Sequence, residues 1–376
     1  MSTNPEARAW LRVSADALRA NYARIEARVG PGVGIVPMVK ADAYGLGMAE
    51  TVRALAPAGP MAWGVATVEE GVRLRVLGVR EPVIVFCPPP EPSLEAALAA
   101  GLDVSVSSLE GIEQLASAAR RADSVARMHV DVDTGMGRSG LDWRLASSWL
   151  PRVTAAADGA LRWIGIFTHL HSPDEGDASV REQWARFQGV LGAFSSPRAG
   201  LVVHVLNSAG IFRAPEYARE AVRPGIFLYG GEVGSGQPHP EPVVSLHARV
   251  VHLREAETGT TVGYGATYRA KRPERWATLS IGYGDGLPRS LGNRGSALLH
   301  GRRVPIIGRI SMDLTVVDIT GVQGVRVGDV ATGIGTEGSE SITVDEVAGL
   351  AGTISYEILV GFTPRLPRVW TGLDGS

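Results

Sequence analysis

The sequence predicts an α/β fold: a TIM-like (β/α)8 barrel over residues 1–236, then a mostly β domain over 237–376, with the first residues able to pack on the second domain. Three observations predict it. Short apolar runs alternate with helix-period segments through the first 230 residues; the chain changes character around 230–242; and β-type runs punctuated by Gly and Pro follow.

The barrel rests on eight candidate strands at 34–39, 62–66, 83–86, 103–106, 127–132, 161–167, 202–206 and 221–222. Between them, segments such as 14–29, 67–77, 92–100, 109–120 and 180–194 carry apolar residues at spacings of three and four, the period of a helix buried on one face. An open doubly wound sheet would use the same alternation. No Gly-x-Gly-x-x-Gly follows the first strand, and this favours the barrel.

The stretch Gly-Gly-Glu-Val-Gly-Ser-Gly-Gln-Pro-His-Pro-Glu-Pro at 230–242 is dense in turn formers and reads as a connection between domains. Beyond it, strands are predicted at 243–253, 276–281, 297–299, 304–307, 314–319, 329–332 and 341–344, with 344–351 as the one helical segment.

Composition bounds the function. The chain has 376 residues, 45% hydrophobic and 20% charged, with a net charge of −2. That gives no reason to expect nucleic acid or anionic lipid as a partner. No apolar run reaches membrane-spanning length. The opening Met1-Ser2-Thr3-Asn4-Pro5-Glu6 lacks a basic region followed by an apolar one, so a secretory leader is not expected and a cytoplasmic location is. Cys87 is the one cysteine, so no internal disulfide can form. Of 37 Lys plus Arg only two are lysines, Lys40 and Lys271, leaving two candidates for any amine chemistry.

Barrels of this kind gather functional residues just after their strands. Those positions hold Lys40, in Val39-Lys40-Ala41-Asp42-Ala43-Tyr44-Gly45; Asp133-Thr134-Gly135-Met136-Gly137-Arg138; His169; Asn207-Ser208; and Arg223-Pro224-Gly225-Ile226. A lysine desolvated at the end of an apolar strand shifts toward the neutral amine that attacks carbonyl carbon. Position alone leaves open a lysine that simply reaches out to water. The ends of strands seven and eight are the usual phosphate site of such barrels, where Ser208 and the Gly225-Ile226 backbone could donate. His169-Leu170-His171 puts two histidines on one strand face, but no further ligand motif accompanies them and no metal is expected.

Two motifs, Val-Lys-Ala-Asp-Ala-Tyr-Gly at 39–45 and Tyr264-Gly265-Ala266-Thr267-Tyr268, resemble those of the alanine racemases, fold type III enzymes that use pyridoxal phosphate. The resemblance runs from Val39 to Tyr356 in the family's order and spacing. It implies racemisation of alanine by two bases, Lys40 carrying the cofactor and Tyr264 reaching in from a partner subunit of a homodimer. It implies that Tyr44, Ser208, Gly225, Ile226 and Tyr356 hold the phosphate and that Arg223 faces the pyridine nitrogen, supported by His204. His169 resembles the histidine bonded to Tyr264, Arg138 and Met312 the contacts to the substrate carboxylate, and Tyr283 and Asp313 residues of the access corridor. One position departs. Where the family usually has a lysine, often carbamylated, seven residues before the arginine, this chain has Asp131, expected to act as a fixed anion that orients Arg138. A broader amino-acid racemase, or another fold type III reaction, is the alternative.

Overall fold

The computed structural model describes residues 6–157, 159–194 and 200–373. Residues 1–5, read above against a secretory leader, lie outside the described residues.

Eight parallel strands form the barrel: Gly34–Ile35, Trp63–Val65, Val83–Val85, Asp103–Val106, Ala126–Asp133, Leu161–Phe167, Val202–Asn207 and Ala221–Arg223. The first strand is shorter than expected. Pro37 lacks the N–H a ladder needs, and pairing resumes at Met38, whose bridge to Gly64 closes the ring. Each crossover segment is helical, and the helices start where the chemistry allows. Ser14 accepts from the Ala17 N–H, Ser108 from Gly111, and Thr67 and Glu70 form a capping box. The helices Met48–Leu55 and Ala146–Ala156 were not predicted. Pro151 lies inside the second, and proline is a poor fit to a helix interior.

The second layer is built on the 13-residue strand Val244–Ala256, which pairs antiparallel with Ala9–Ser14, Glu274–Leu279 and Val330–Glu337. Ala9–Ser14, not predicted as a strand, also runs parallel to Arg368–Thr371. The first and last strands of the described residues therefore lie side by side in the β sheet. Besides the expected helix Val344–Ala351, this part of the chain contains a second, Ser355–Gly361. Seven residues are too few for a 3.6 period to stand out. One apolar core runs through both layers.

Candidate active site

A cavity of about 290 Å³ opens at the C-terminal ends of the barrel strands. Lys40, Tyr44, Asp131, Arg138, His169, Ser208, Arg223, Gly225, Ile226 and Tyr356 all line it.

Lys40 enters through unusual backbone. Ala41, Asp42, Ala43 and Tyr44 all have φ between 52° and 56°, so the chain makes one turn of left-handed helix straight after the lysine. Non-glycine residues resist this conformation by about 1–2 kcal/mol each. Side chains from elsewhere hold the turn: Glu70 accepts from the Ala41 and Ala66 N–H groups at 2.7 and 2.8 Å, and Asp42 accepts from Met48 N–H and pairs with Arg73. The turn aims Lys40 into the cavity while Tyr44, four residues on, is buried beside it. Burial lowers the Lys40 amine below the ordinary lysine range; Arg138 and Arg223 push the same way, against Cys87 and Glu70. Lysine at this strand end therefore does not reach out to bulk water.

Tyr44 stacks on Tyr229 at 4.6 Å and tilts against Tyr356 at 5.9 Å. Its hydroxyl sits where a Cβ on residue 225 would fall, at 2.1 Å, so only glycine leaves this corner open. The Gly225 N–H, expected to donate into the cavity, is spent on Ser208 Oγ at 2.8 Å, and Phe227 N–H approaches the same oxygen at 3.3 Å. Accepting twice leaves the Ser208 hydroxyl hydrogen to donate. This corner suits an oxyanion group.

Opposite lies Arg223, 4% exposed. Its two Nη atoms donate to His204 Nδ1, His204 O, Thr168 O and Val205 O at 2.6–3.2 Å. That leaves Nε–H as the guanidinium's remaining donor. Burial pushes Arg223 down to about 10, with Asp131 opposing, so it stays charged at neutral pH. The rings of Phe86 and Phe167 stand 5.5 and 5.2 Å from it. Asp131 is buried, and its Oδ2 accepts from Ser139 at 2.8 Å and Ser107 at 3.1 Å. Burial raises its carboxyl above the usual range. No direct ion pair joins it to Arg138 among the described residues.

Tyr264, Tyr283, Met312 and Asp313 do not reach this cavity. They belong to the β domain, where Tyr264, Tyr283, Met312 and Leu314 are exposed. The Tyr283 and Met312 loops are zipped together: Tyr283 and Gly284 donate to Ser311 O and Met312 O. Arg365 bridges Asp313 to the fully buried Asp285. Sequence reasoning missed Phe86, Phe167, Ser107 and Ser139. The period-two face His129-x-Asp131-x-Asp133 was a signal for an inward polar row.

Three histidines are held neutral by burial. Burial, then Arg223, Arg138 and Lys40, push His169 down to about 3; burial and Arg12 push His247 to about 4; His204 lies well below 6.5. Each would take a proton near 6.5 in the unfolded chain, so the unfolded state binds more protons below that pH and stability falls with it. Each histidine costs about 1.4 kcal/mol per pH unit in its window. The urea midpoint of the cofactor-free protein is expected to drop steadily from pH 6.5 to 4. His247→Gln, remote from the cavity, should make that slope shallower by about a third. An unchanged slope would contradict the assignment.

A parallel barrel with a desolvated lysine, a caged arginine and an oxyanion corner at its mouth defines an enzyme of amine–carbonyl chemistry. Models of the alanine racemase N-terminal and C-terminal domains match residues 13–233 and 243–370. The alanine racemase of Halothermothrix orenii is 36% identical over 372 residues, covering 98% of each chain. The crystal structure of alanine racemase from Bartonella henselae with covalently bound pyridoxal phosphate superimposes with a TM-score of 0.88 at 30% identity, over 97% of this chain and 100% of that one. Alanine racemase from Bacillus anthracis with bound L-Ala-P gives 0.89 at 30%, over 98% and 96%. The chain belongs to the alanine racemase family.

Proposed function

We propose that this protein interconverts L- and D-alanine with pyridoxal phosphate held on Lys40, as a cytoplasmic homodimer whose sites are shared between subunits. The observation that carries the reading is the cavity itself: one desolvated amine, one caged arginine and one oxyanion corner face the same space. A flat, phosphorylated aldehyde carries the three groups that these would meet. Ser208, Ile226, Tyr44 and Tyr356 would hold its phosphate in the space that Gly225 leaves open, Arg223 would face its ring nitrogen, and Lys40 would bond its carbonyl carbon.

Bound pyridoxal phosphate supplies the electron sink that makes an amino acid's α-proton removable. Lys40 would take and return that proton on one face, its amine lowered below the ordinary lysine range by burial. Tyr264 of the partner subunit serves the opposite face, with neutral His169 as its hydrogen-bond partner across the interface. Arg223 stays charged at neutral pH, so it would donate a hydrogen bond to the ring nitrogen without passing it a proton. That weakens the sink and favours prompt return of the proton. Arg138, together with the partner subunit's Met312, would hold the substrate carboxylate, and Tyr283 and Asp313 would narrow the access corridor. Asp131, anchored by Ser107 and Ser139, would supply a buried negative charge toward Arg223.

The test is a polarimetric assay of alanine in both directions, joined to a borohydride trap of the purified protein. Racemisation independent of added bicarbonate is expected, with the reduced label on Lys40. A label on Lys271, or no turnover of alanine by protein that binds the cofactor, would overturn the reading.

A further inference from the structure

Behind Arg223 the barrel interior holds a row of polar groups that the reading above does not use. His129, on the strand Ala126–Asp133, and Asp103, on the neighbouring strand Asp103–Val106, are each 2% exposed. His204 Nε2 stands 2.9 Å from His129 Nδ1, and His129 Nε2 stands 3.8 Å from Asp103 Oδ2. Asp103 Oδ1 in turn accepts from Arg127 Nε, and Arg127 Nη2 donates to Gly101 O at the barrel's far end.

Donor logic fixes every proton in this row. Arginine only donates, so His204 Nδ1 accepts from Arg223 and its proton sits on Nε2. That N–H must find an acceptor, and His129 Nδ1 is it. The His129 proton is then on Nε2, buried without a hydrogen-bond partner and aimed at Asp103 across a gap too long for a hydrogen bond but short for charge attraction. A doubly protonated His129 would donate into His204 Nε2 and drive that ring's proton to Nδ1, nose to nose with Arg223. The row therefore reads in one direction only.

The surroundings are shaped for it. On the adjacent strand Leu161–Phe167 a Cβ at residue 165 would lie 2.0 Å from His129 Nδ1, so glycine is what admits the ring. Phe167 stacks on His204 at 5.0 Å and 15°, and the two imidazoles meet edge to face at 69°.

We propose that His129 and Asp103 are positioning residues, which lock His204 in its Nε2–H tautomer and so hold the Arg223 guanidinium in the orientation that serves the cofactor ring. The assignment rests on the reading of Arg223 given above, but its first test does not. Histidine-selective ¹⁵N NMR of the protein without cofactor should show both His204 and His129 as neutral Nε2–H tautomers. An Nδ1–H His204 or an imidazolium at His129 would overturn the proposal, whatever the protein catalyses. The second test uses the loaded protein. His129→Leu removes the acceptor at similar volume, and the loss should be about tenfold in kcat with KM within about twofold and a shifted cofactor absorbance band. His129→Gln, whose amide oxygen accepts in place of Nδ1, should restore most of both. Leucine and glutamine variants with the same kcat and the same spectrum would refute the positioning role. If the leucine variant does not fold, the tautomers of the unaltered protein still decide.

Discussion

Replacing Lys40 with alanine is expected to lower racemisation by at least about a thousandfold, the scale at which removing a covalent participant acts. The chain has nothing to put in its place. Its other lysine, Lys271, is exposed in the β domain and does not line the cavity. Cofactor should bind more weakly and wash out on dialysis, since the phosphate corner and Arg223 remain but the covalent attachment is gone. Folding should not suffer. The Lys40 amine is partly desolvated and makes no hydrogen bond within the described chain, so the urea midpoint should stay level or rise. Turnover above a thousandth of normal in the alanine variant would mean that another group carries the chemistry.

The second large effect is the loss in Tyr264→Phe and its recovery by mixing. Tyr264 is 66% exposed at the tip of a turn bounded by Gly263 and Gly265, and Tyr283, Met312 and Leu314 of the same domain are exposed as well. Large apolar side chains left exposed in number are what a contact surface needs. In a symmetric dimer each chain's tyrosine would complete its neighbour's cavity. Lys40→Ala and Tyr264→Phe should each be nearly inactive alone. Unfolded together in equal amounts and refolded, half the dimers would be mixed, each with one intact site. Activity should return to about a quarter of normal. Mixed dimers that form and remain inactive would place both groups within one subunit.

Much of this architecture is legible in the sequence. Asp103–Val106, Leu161–Phe167 and the residues following the barrel strands stand out because a buried parallel strand must be apolar and its exit must be polar. The hidden parts share a physical cause. Phe86 and Phe167 read as core residues, since nothing local says that their rings face a guanidinium. The strand Ala9–Ser14 takes both its partners from beyond residue 243, and no local pattern reports a pairing that distant. Asp131 was visible as an anion, but its serine anchors come from two other stretches of chain, so its orientation was not. His129 was passed over because Gly165, which makes room for it, is 36 residues away in sequence and meaningless without the sheet.

The turn after Lys40 carries a consequence of handedness. Residues 41–44 follow a path that is the mirror image of an ordinary helix, and L-residues are strained on it. An amino acid of opposite chirality is at home there. Semisynthesis with D-alanine at positions 41 and 43 should raise the unfolding temperature while leaving the cavity intact, whereas the same exchange at Ala17, inside a right-handed helix, should lower it. This short stretch would then be stabilised by the stereoisomer that the protein is proposed to make.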